Sequence, residues 1–417
     1  MTNSRWRVLL IVCVVAAALG KFAFAARSTG TNDLMFYQYS WRKSLEPAGG
    51  MGLYRDGISH VDVLGRPYYH EHYMNPPFVI HLLRACGFLA TQVGLHFPFW
   101  MRVPSILADA AIVLLLWRML APQRARDWLA LMAVALSPVS LLISGFHGST
   151  DSLVVLFVLL TVYFLGKPEG GVWAGLAFGM SLNIKIWPAM FIPAILLWLP
   201  DWRARIRFSL AAGAVFAVAS MPFLAQDPFL VIRRLLGYPS VYGQWGTSRL
   251  VTWASAAWSS DGFSKLFEAY GRFLMLASIG VFGWWLQTRR PDAPLRLRIA
   301  ILTGVFLSFT PGFGVQYLSW MTPWLALAGV EAVMAYSFAG TVFLYVVYRH
   351  WSVGRWILAD SYQLGPWSGT AIFYELFCWI TVLIVTWCLW QLMPKPAPVT
   401  VEAPQRDVVK HSRKRKK

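Results

Sequence analysis

Charge is scarce in this sequence: 13% of its 417 residues are Asp, Glu, Lys or Arg, while 57% are hydrophobic. A soluble domain of that balance could not hide its apolar surface, so lipid is the expected solvent for much of the chain. Cysteine is scarcer still. The four cysteines, Cys13, Cys86, Cys378 and Cys388, lie in apolar stretches without metal-ligand spacing, which excludes a zinc site or a disulfide framework. No phosphate-binding glycine loop of the GxxxxGK[ST] kind is present, so ATP-driven transport would need a partner subunit. Acidic residues are also few, 19 against 37 Lys and Arg, leaving a net charge of +18. Much of that excess sits in short connectors and the C-terminal tail, where it orients membrane segments and does not call for nucleic acid. No metal or other cofactor is expected. What is abundant is aromatic: 22 Trp and 16 Tyr, rings that collect at the two headgroup levels of a bilayer.

Arg5 and Arg7 precede the first apolar run, Val8 to Ala26, placing the N-terminus inside and the chain after Arg27 outside. Ala23-Phe24-Ala25 also resembles a signal-peptide cleavage site, and under either reading the next segment emerges outside. Residues 28–100 then form a long first external loop carrying Asp33, Glu46, Asp56, Asp62 and Glu71, and a loop of that length implies a function. Within it, Asn75-Pro76-Pro77 opens an apolar run broken by His81, Arg84 and Gln92, read as an amphipathic helix on the outer surface.

Spans are expected at Val103–Leu120, Trp128–Phe146, Ser152–Leu165, Phe208–Leu224, Phe273–Gln287 and Ile299–Thr310, with further apolar runs from Leu318, Val333 and Gly369. Gly171 to Pro200 is too short for two crossings and contains Asn183 and Lys185. Two short helices meeting at a turn inside the membrane are expected there, where irregular backbone must be shielded by protein or line a wet cavity. A second external loop covers 225–265. The predicted fold is an all-α polytopic membrane protein of about 10–13 transmembrane helices. Residues 1–393 form its single domain and 394–417 a basic, disordered inner tail.

Several polar residues fall at expected outer helix ends. Asp33 follows the first span directly; its carboxylate suits either a helix N-cap or a general base acting on a hydroxyl. His147 and Asp151 lie in Phe146-His147-Gly148-Ser149-Thr150-Asp151 at another outer end, and Asp151 too suits a cap. Lys185 is an ammonium at membrane depth, costing about 3 kcal/mol on insertion scales, and so calls for a partner: a phosphate, Asp151 or a backbone carbonyl. Tyr238, Tyr242, Trp245 and Arg249 cluster in the second external loop. Their rings suit either sugar stacking or the interfacial belt, and the guanidinium either a phosphate or a headgroup anchor. Gln316 and Tyr317 repeat this polar-aromatic character before Trp320.

Taken in order, the early Asp33, the Asn75-Pro76-Pro77 helix start, His147 to Asp151, Asn183-Ile184-Lys185, Trp245 to Arg249 and Gln316-Tyr317-Leu318-x-Trp320 resemble the GT-C glycosyltransferase superfamily over residues 5 to 330. The nearest likeness is to polyprenyl-phosphate-mannose-dependent mannosyltransferases. That resemblance implies a membrane enzyme with an inverting, metal-independent transfer of a sugar from a polyprenyl-phosphate donor to a glycan, glycolipid or protein acceptor. Its active site would face the extracytoplasmic side of a bacterial-type cell membrane. It also makes Asp33 the catalytic base, puts Lys185 and Arg249 on the donor phosphate, and puts His147, Asp151, Tyr242, Trp245, Gln316 and Tyr317 around the substrates. Asn75 departs from the acidic residue that often precedes Pro-Pro in such enzymes, which leaves sugar and acceptor open. A lipid-linked-sugar flippase is the alternative, and an acid-rich first external loop speaks against it.

Overall fold

A computed structural model describes residues 2–61, 67–237, 241–367 and 369–394; Asp62, Tyr238 and the tail from 395 to 417 lie outside them. Among the described residues seven helices are long and apolar enough to cross a membrane: Asn3–Arg27, Phe97–Leu120, Ala125–His147, Trp202–Leu224, Gly262–Arg289, Val330–Trp351 and Thr370–Gln391. Four shorter apolar helices, Pro77–Val93, Asp151–Leu165, Gly171–Ile184 and Trp187–Trp198, complete the helical body. At ~1.5 Å per residue the longest of these four reaches only ~26 Å, so none crosses a ~30 Å hydrocarbon layer upright. The chain is an integral membrane protein built almost wholly of helices.

The described residues between 32 and 93 pack on an apolar core that they share with Phe97, Met101, Phe223, Val231 and Leu235. Helix Asn32–Ser44 packs against helices Gly49–Asp56 and Pro77–Val93 and against the first strand of an antiparallel hairpin, Ile58–Val61 with Pro67–Glu71. Sequence alone does not announce that hairpin. The Pro77–Val93 helix buries Val79, Ile80, Leu83, Cys86 and Gly87, a stripe at helical spacing, and leaves Phe88 and Leu89 exposed on the other side. Gly87 is required there: a Cβ at that position would lie 2.0 Å from the Trp41 indole.

Two departures from the expected spans matter for the site. The expected helix through residues 128–146 is broken. Ser137-Pro138 interrupts it, and the chain resumes as a π-helix, Leu141–His147, that ends at Gly148 with φ +86°. The run from Leu318 is no crossing: it is a buried series of short turns, Leu318–Met321 and then a 3-10 segment Thr322–Leu327. Prolines at 138 and 323 remove the amide that a continuous α-helix needs at those points. Gly171 to Pro200 folds as expected from its length, as helices on either side of a break at Lys185 to Trp187.

Candidate active site

The first helix ends at Arg27, and its last carbonyls are held from a neighbouring helix. The buried guanidinium of Arg102 donates from Nη1 to the carbonyls of Ala25 and Ser28, both at 3.0 Å. The chain then passes Gly30 with φ +94°, where a Cβ would strike Arg102 Nη2 and the Phe146 carbonyl, so only glycine fits. Gly30 and Thr31 pair in parallel with Leu358 and Ala359, and Thr31 Oγ1 donates to the His147 carbonyl at 3.0 Å. This short segment is thus fixed on three sides when it delivers Asp33 into the first turn of the next helix.

Asp33 opens onto a cavity of about 140 Å³ whose wall includes Tyr37, Glu71, Lys185, Gln316, Tyr317 and Tyr362. Its Oδ2 lies 3.0 Å from His147 Nε2, and His147 Nδ1 lies 2.9 Å from the Tyr348 hydroxyl. An ionised carboxylate only accepts, so Nε2 carries a proton toward Asp33 while Nδ1 faces the Tyr348 hydroxyl. Both ring nitrogens are therefore engaged, and the imidazole is 5% exposed against 35% for the Asp33 side chain. Of the two, the carboxylate is the group presented to the cavity.

Asp151 is fully buried and serves as a hub. Its Oδ2 accepts from Lys185 Nζ at 2.7 Å and from Ser149, and its Oδ1 accepts from Trp320 Nε1 at 2.7 Å. Lys185 therefore takes Asp151 as its membrane-depth partner, while its side chain, 18% exposed, still lines the Asp33 cavity. The far wall is aromatic: Trp187 stacks on Trp320 at 3.9 Å, and Tyr317 on Trp320 at 4.2 Å.

The second-loop residues are elsewhere. Arg249 pairs through Nε with the fully buried Glu375, whose other oxygen accepts the Gly246 amide at 2.9 Å. It is not among the residues lining the Asp33 cavity, so it and Lys185 do not face one another across that space. Trp245 is buried against Phe313 at 3.9 Å and donates to the Leu307 carbonyl at 2.6 Å. Tyr242 bridges to Gly312 and shares a hydrogen bond with Ser264 at 3.1 Å. These side chains tie residues 241–265 to the neighbouring helices and do not line the cavity.

Two wall residues were not marked as site residues by the sequence. Glu71 stands at the end of the hairpin, and the Tyr362 hydroxyl donates to its Oε2 at 2.9 Å. Burial pushes the Glu71 carboxyl up to about 7; the Tyr362 hydrogen bond opposes the rise and the Asp33 charge adds to it. Tyr37, buried and facing the Asp33 and Asp151 charges, is pushed far above the usual tyrosine range and stays a hydroxyl. Tyr362 belongs to a late loop that also sends the Ser361 amide and hydroxyl to Asn32 Oδ1, at 3.2 and 2.9 Å. Among the described residues no group of three His, Cys, Asp or Glu side chains could hold a metal ion.

The model of glycosyltransferase family 87 matches residues 73–311. GPI mannosyltransferase 1 of Candida albicans is 19% identical over 358 residues, covering 76% of this chain and 86% of the relative. GPI mannosyltransferase 1 of Debaryomyces hansenii is 20% identical over 298 residues, covering 60% of this chain and 68% of the relative. The family match includes His147, Asp151 and Lys185 and begins after Asp33.

Proposed function

Because the chain belongs to glycosyltransferase family 87, we propose that this membrane glycosyltransferase moves a mannosyl group from a polyprenyl-phosphate carrier to an acceptor hydroxyl, with Asp33 as general base. The observation that carries the reading is the Asp33 carboxylate itself, part exposed on a cavity and held from behind by His147 and Tyr348. The names of the relatives favour mannose.

In this reading an acceptor O–H approaches Asp33, which takes its proton as the oxygen attacks C1 of the sugar. The new C–O bond forms as the bond from C1 to the carrier phosphate breaks, and the phosphate leaves with the electron pair. A single displacement inverts the configuration at C1. His147 N–H holds one carboxylate oxygen and so fixes the direction in which the carboxylate faces the cavity. Lys185 lies on the cavity wall where an ammonium would favour the growing phosphate charge, and its bond to Asp151 fixes its position without removing its proton. Glu71 and Tyr362 offer hydrogen bonds to acceptor hydroxyls. The site belongs to the extracytoplasmic face, since it follows a helix whose other end carries Arg5 and Arg7.

Asp33→Asn tests the base assignment. The amide keeps the shape and loses the basicity, so transfer from a polyprenyl-phosphate mannose in detergent should fall by about 10²–10⁴-fold with donor binding retained. Undiminished transfer by a folded Asp33→Asn protein would remove Asp33 from the mechanism.

A further inference from the structure

On the opposite side of the molecule lies a second cavity of about 210 Å³ whose wall includes Arg118, Lys167, Arg296, Tyr163 and Trp198. Each contributing helix has its other end on the Asp33 side. Asp151–Leu165 runs from the Asp151 hub to Lys167, Leu295–Phe309 runs from Arg296 toward Gln316, and Phe97–Leu120 runs from the Arg102 end to Arg118. The third, Phe97–Leu120, has 24 residues and is ~36 Å long, enough to cross a membrane, so this cavity sits about one membrane crossing from the candidate active site.

Its cations differ from Lys185 and Arg249, which each hold a fully buried carboxylate partner, and from Lys21, which pairs with the part-buried Asp109. Among the described residues Arg118, Lys167 and Arg296 enter no ion pair, and no Asp or Glu lines the cavity. Lys167 instead lies 5.0 Å over the Tyr163 ring. Arg298, just beyond, is fully engaged: it covers Trp198 at 5.0 Å and donates to the carbonyls of Ala293, Arg290 and Pro291. Those bonds fix the turn that carries Pro294 to Arg296. The rest of the wall is apolar, with Met119, Val162, Leu165 and Leu295. Three cations around an apolar-walled gap between helix ends, with Tyr and Trp marking the headgroup level, match a phosphate group whose acyl chains stay in lipid.

We propose that Arg118, Lys167 and Arg296 form a site for a phosphate-bearing anion, presented by an anionic phospholipid of the leaflet opposite the candidate active site. An exposed cation needed only for membrane orientation would serve equally well anywhere on this face, whereas a headgroup site depends on these three. Arg203 and Arg207 are exposed cations that do not line the cavity and supply the comparison.

The experiment is native mass spectrometry of the full chain with phosphatidylglycerol or phosphatidylcholine, with inorganic phosphate as competitor. The parent protein and Arg203→Gln/Arg207→Gln should retain one phosphatidylglycerol in preference to phosphatidylcholine. Arg118→Gln/Lys167→Gln/Arg296→Gln should retain it on the order of 100-fold less, about fivefold for each cation removed. Displacement by millimolar phosphate would make a free anion the ligand of the same site; resistance to it would assign the lipid. Should the triple variant misfold, Lys167→Gln and Arg296→Gln measured singly carry the same test. Equal phosphatidylglycerol retention by parent and folded cavity variants, or equal loss in the Arg203/Arg207 control, would overturn the proposal.

Discussion

At the scale of single residues, the most informative contrast is between two carboxyls on one cavity wall. Asp33 has an imidazole N–H to stabilise its charge, whereas burial pushes the Glu71 carboxyl up to about 7. Glu71 is then protonated below that pH, able to donate to an acceptor hydroxyl, and a carboxylate above it. Its effect on folding has a definite sign. A carboxyl raised from its ordinary 4.5 to about 7 binds more protons folded than unfolded between those values, so its contribution to stability falls as pH rises through that window. Glu71→Gln cannot titrate and should flatten this loss. Melting temperature followed from pH 5 to 8 should drop by a few degrees more in the parent than in the variant, by about 2–4 °C for each kcal/mol lost. Parallel curves would mean that Glu71 titrates as an ordinary exposed carboxyl. A second test concerns His147, which meets Asp33 through Nε2 while Nδ1 faces Tyr348. His147→Phe removes the hydrogen bond to Asp33 and should slow transfer about 10- to 100-fold while leaving donor affinity unchanged. A lower affinity with normal turnover would instead place the ring on the donor.

At the scale of elements, the helices were legible and their pairings were not. Length, apolarity and flanking arginines disclosed most crossings, and the same run of residues pointed to Asp33 just beyond the first of them. The break at Lys185 followed from a segment too short to cross twice. Side-chain partners far apart in the chain gave no such signal: Tyr362 and Glu71 are 291 residues apart, and Glu375 and Arg249 are 126 apart. Glu375 sits in a run that otherwise reads as pure hydrocarbon, so nothing local says which cation it meets. That pairing makes a prediction about the segment around Arg249. Arg249→Gln leaves the fully buried Glu375 carboxylate uncompensated and should cost about 3–5 kcal/mol, while Arg249→Met/Glu375→Leu, which removes both charges, should recover most of it. The double variant should also bind donor as the parent does, because Arg249 does not line the Asp33 cavity. A folded double variant with at least tenfold weaker donor binding would restore Arg249 to the phosphate.

At the scale of the whole molecule, every functional assignment depends on which membrane face the Asp33 cavity occupies. The helix order ties the two faces together. Asp33, Asp151 and Gln316 adjoin one set of helix ends, and Arg118, Lys167 and Arg296 adjoin the other. Orientation is thus a single two-way choice for the assembly, since no helix can invert alone without breaking the Asp33–His147 and Lys185–Asp151 contacts. Positive charge in short connectors favours the inner face. Arg124 and Arg126 join the crossings on either side of them, and Arg203, Arg205 and Arg207 open the helix Trp202–Leu224. Arg233, Arg234, Arg349 and Arg355 fall at the Asp33 end under this orientation. Arg234 donates there to the Tyr54 carbonyl, and Arg349 and Arg355 precede the loop whose Tyr362 reaches Glu71, so the fold gives three of the four their place. Reporter fusions after Glu46 and Gly243 should therefore report the extracytoplasmic side, and fusions after Arg205 and Arg296 the cytoplasmic side. The four readings must agree as one set. The reverse pattern at all four positions would turn the cavity toward the cytoplasm and exclude a donor presented at the outer face. A mixed pattern would instead contradict the packing of the helices themselves.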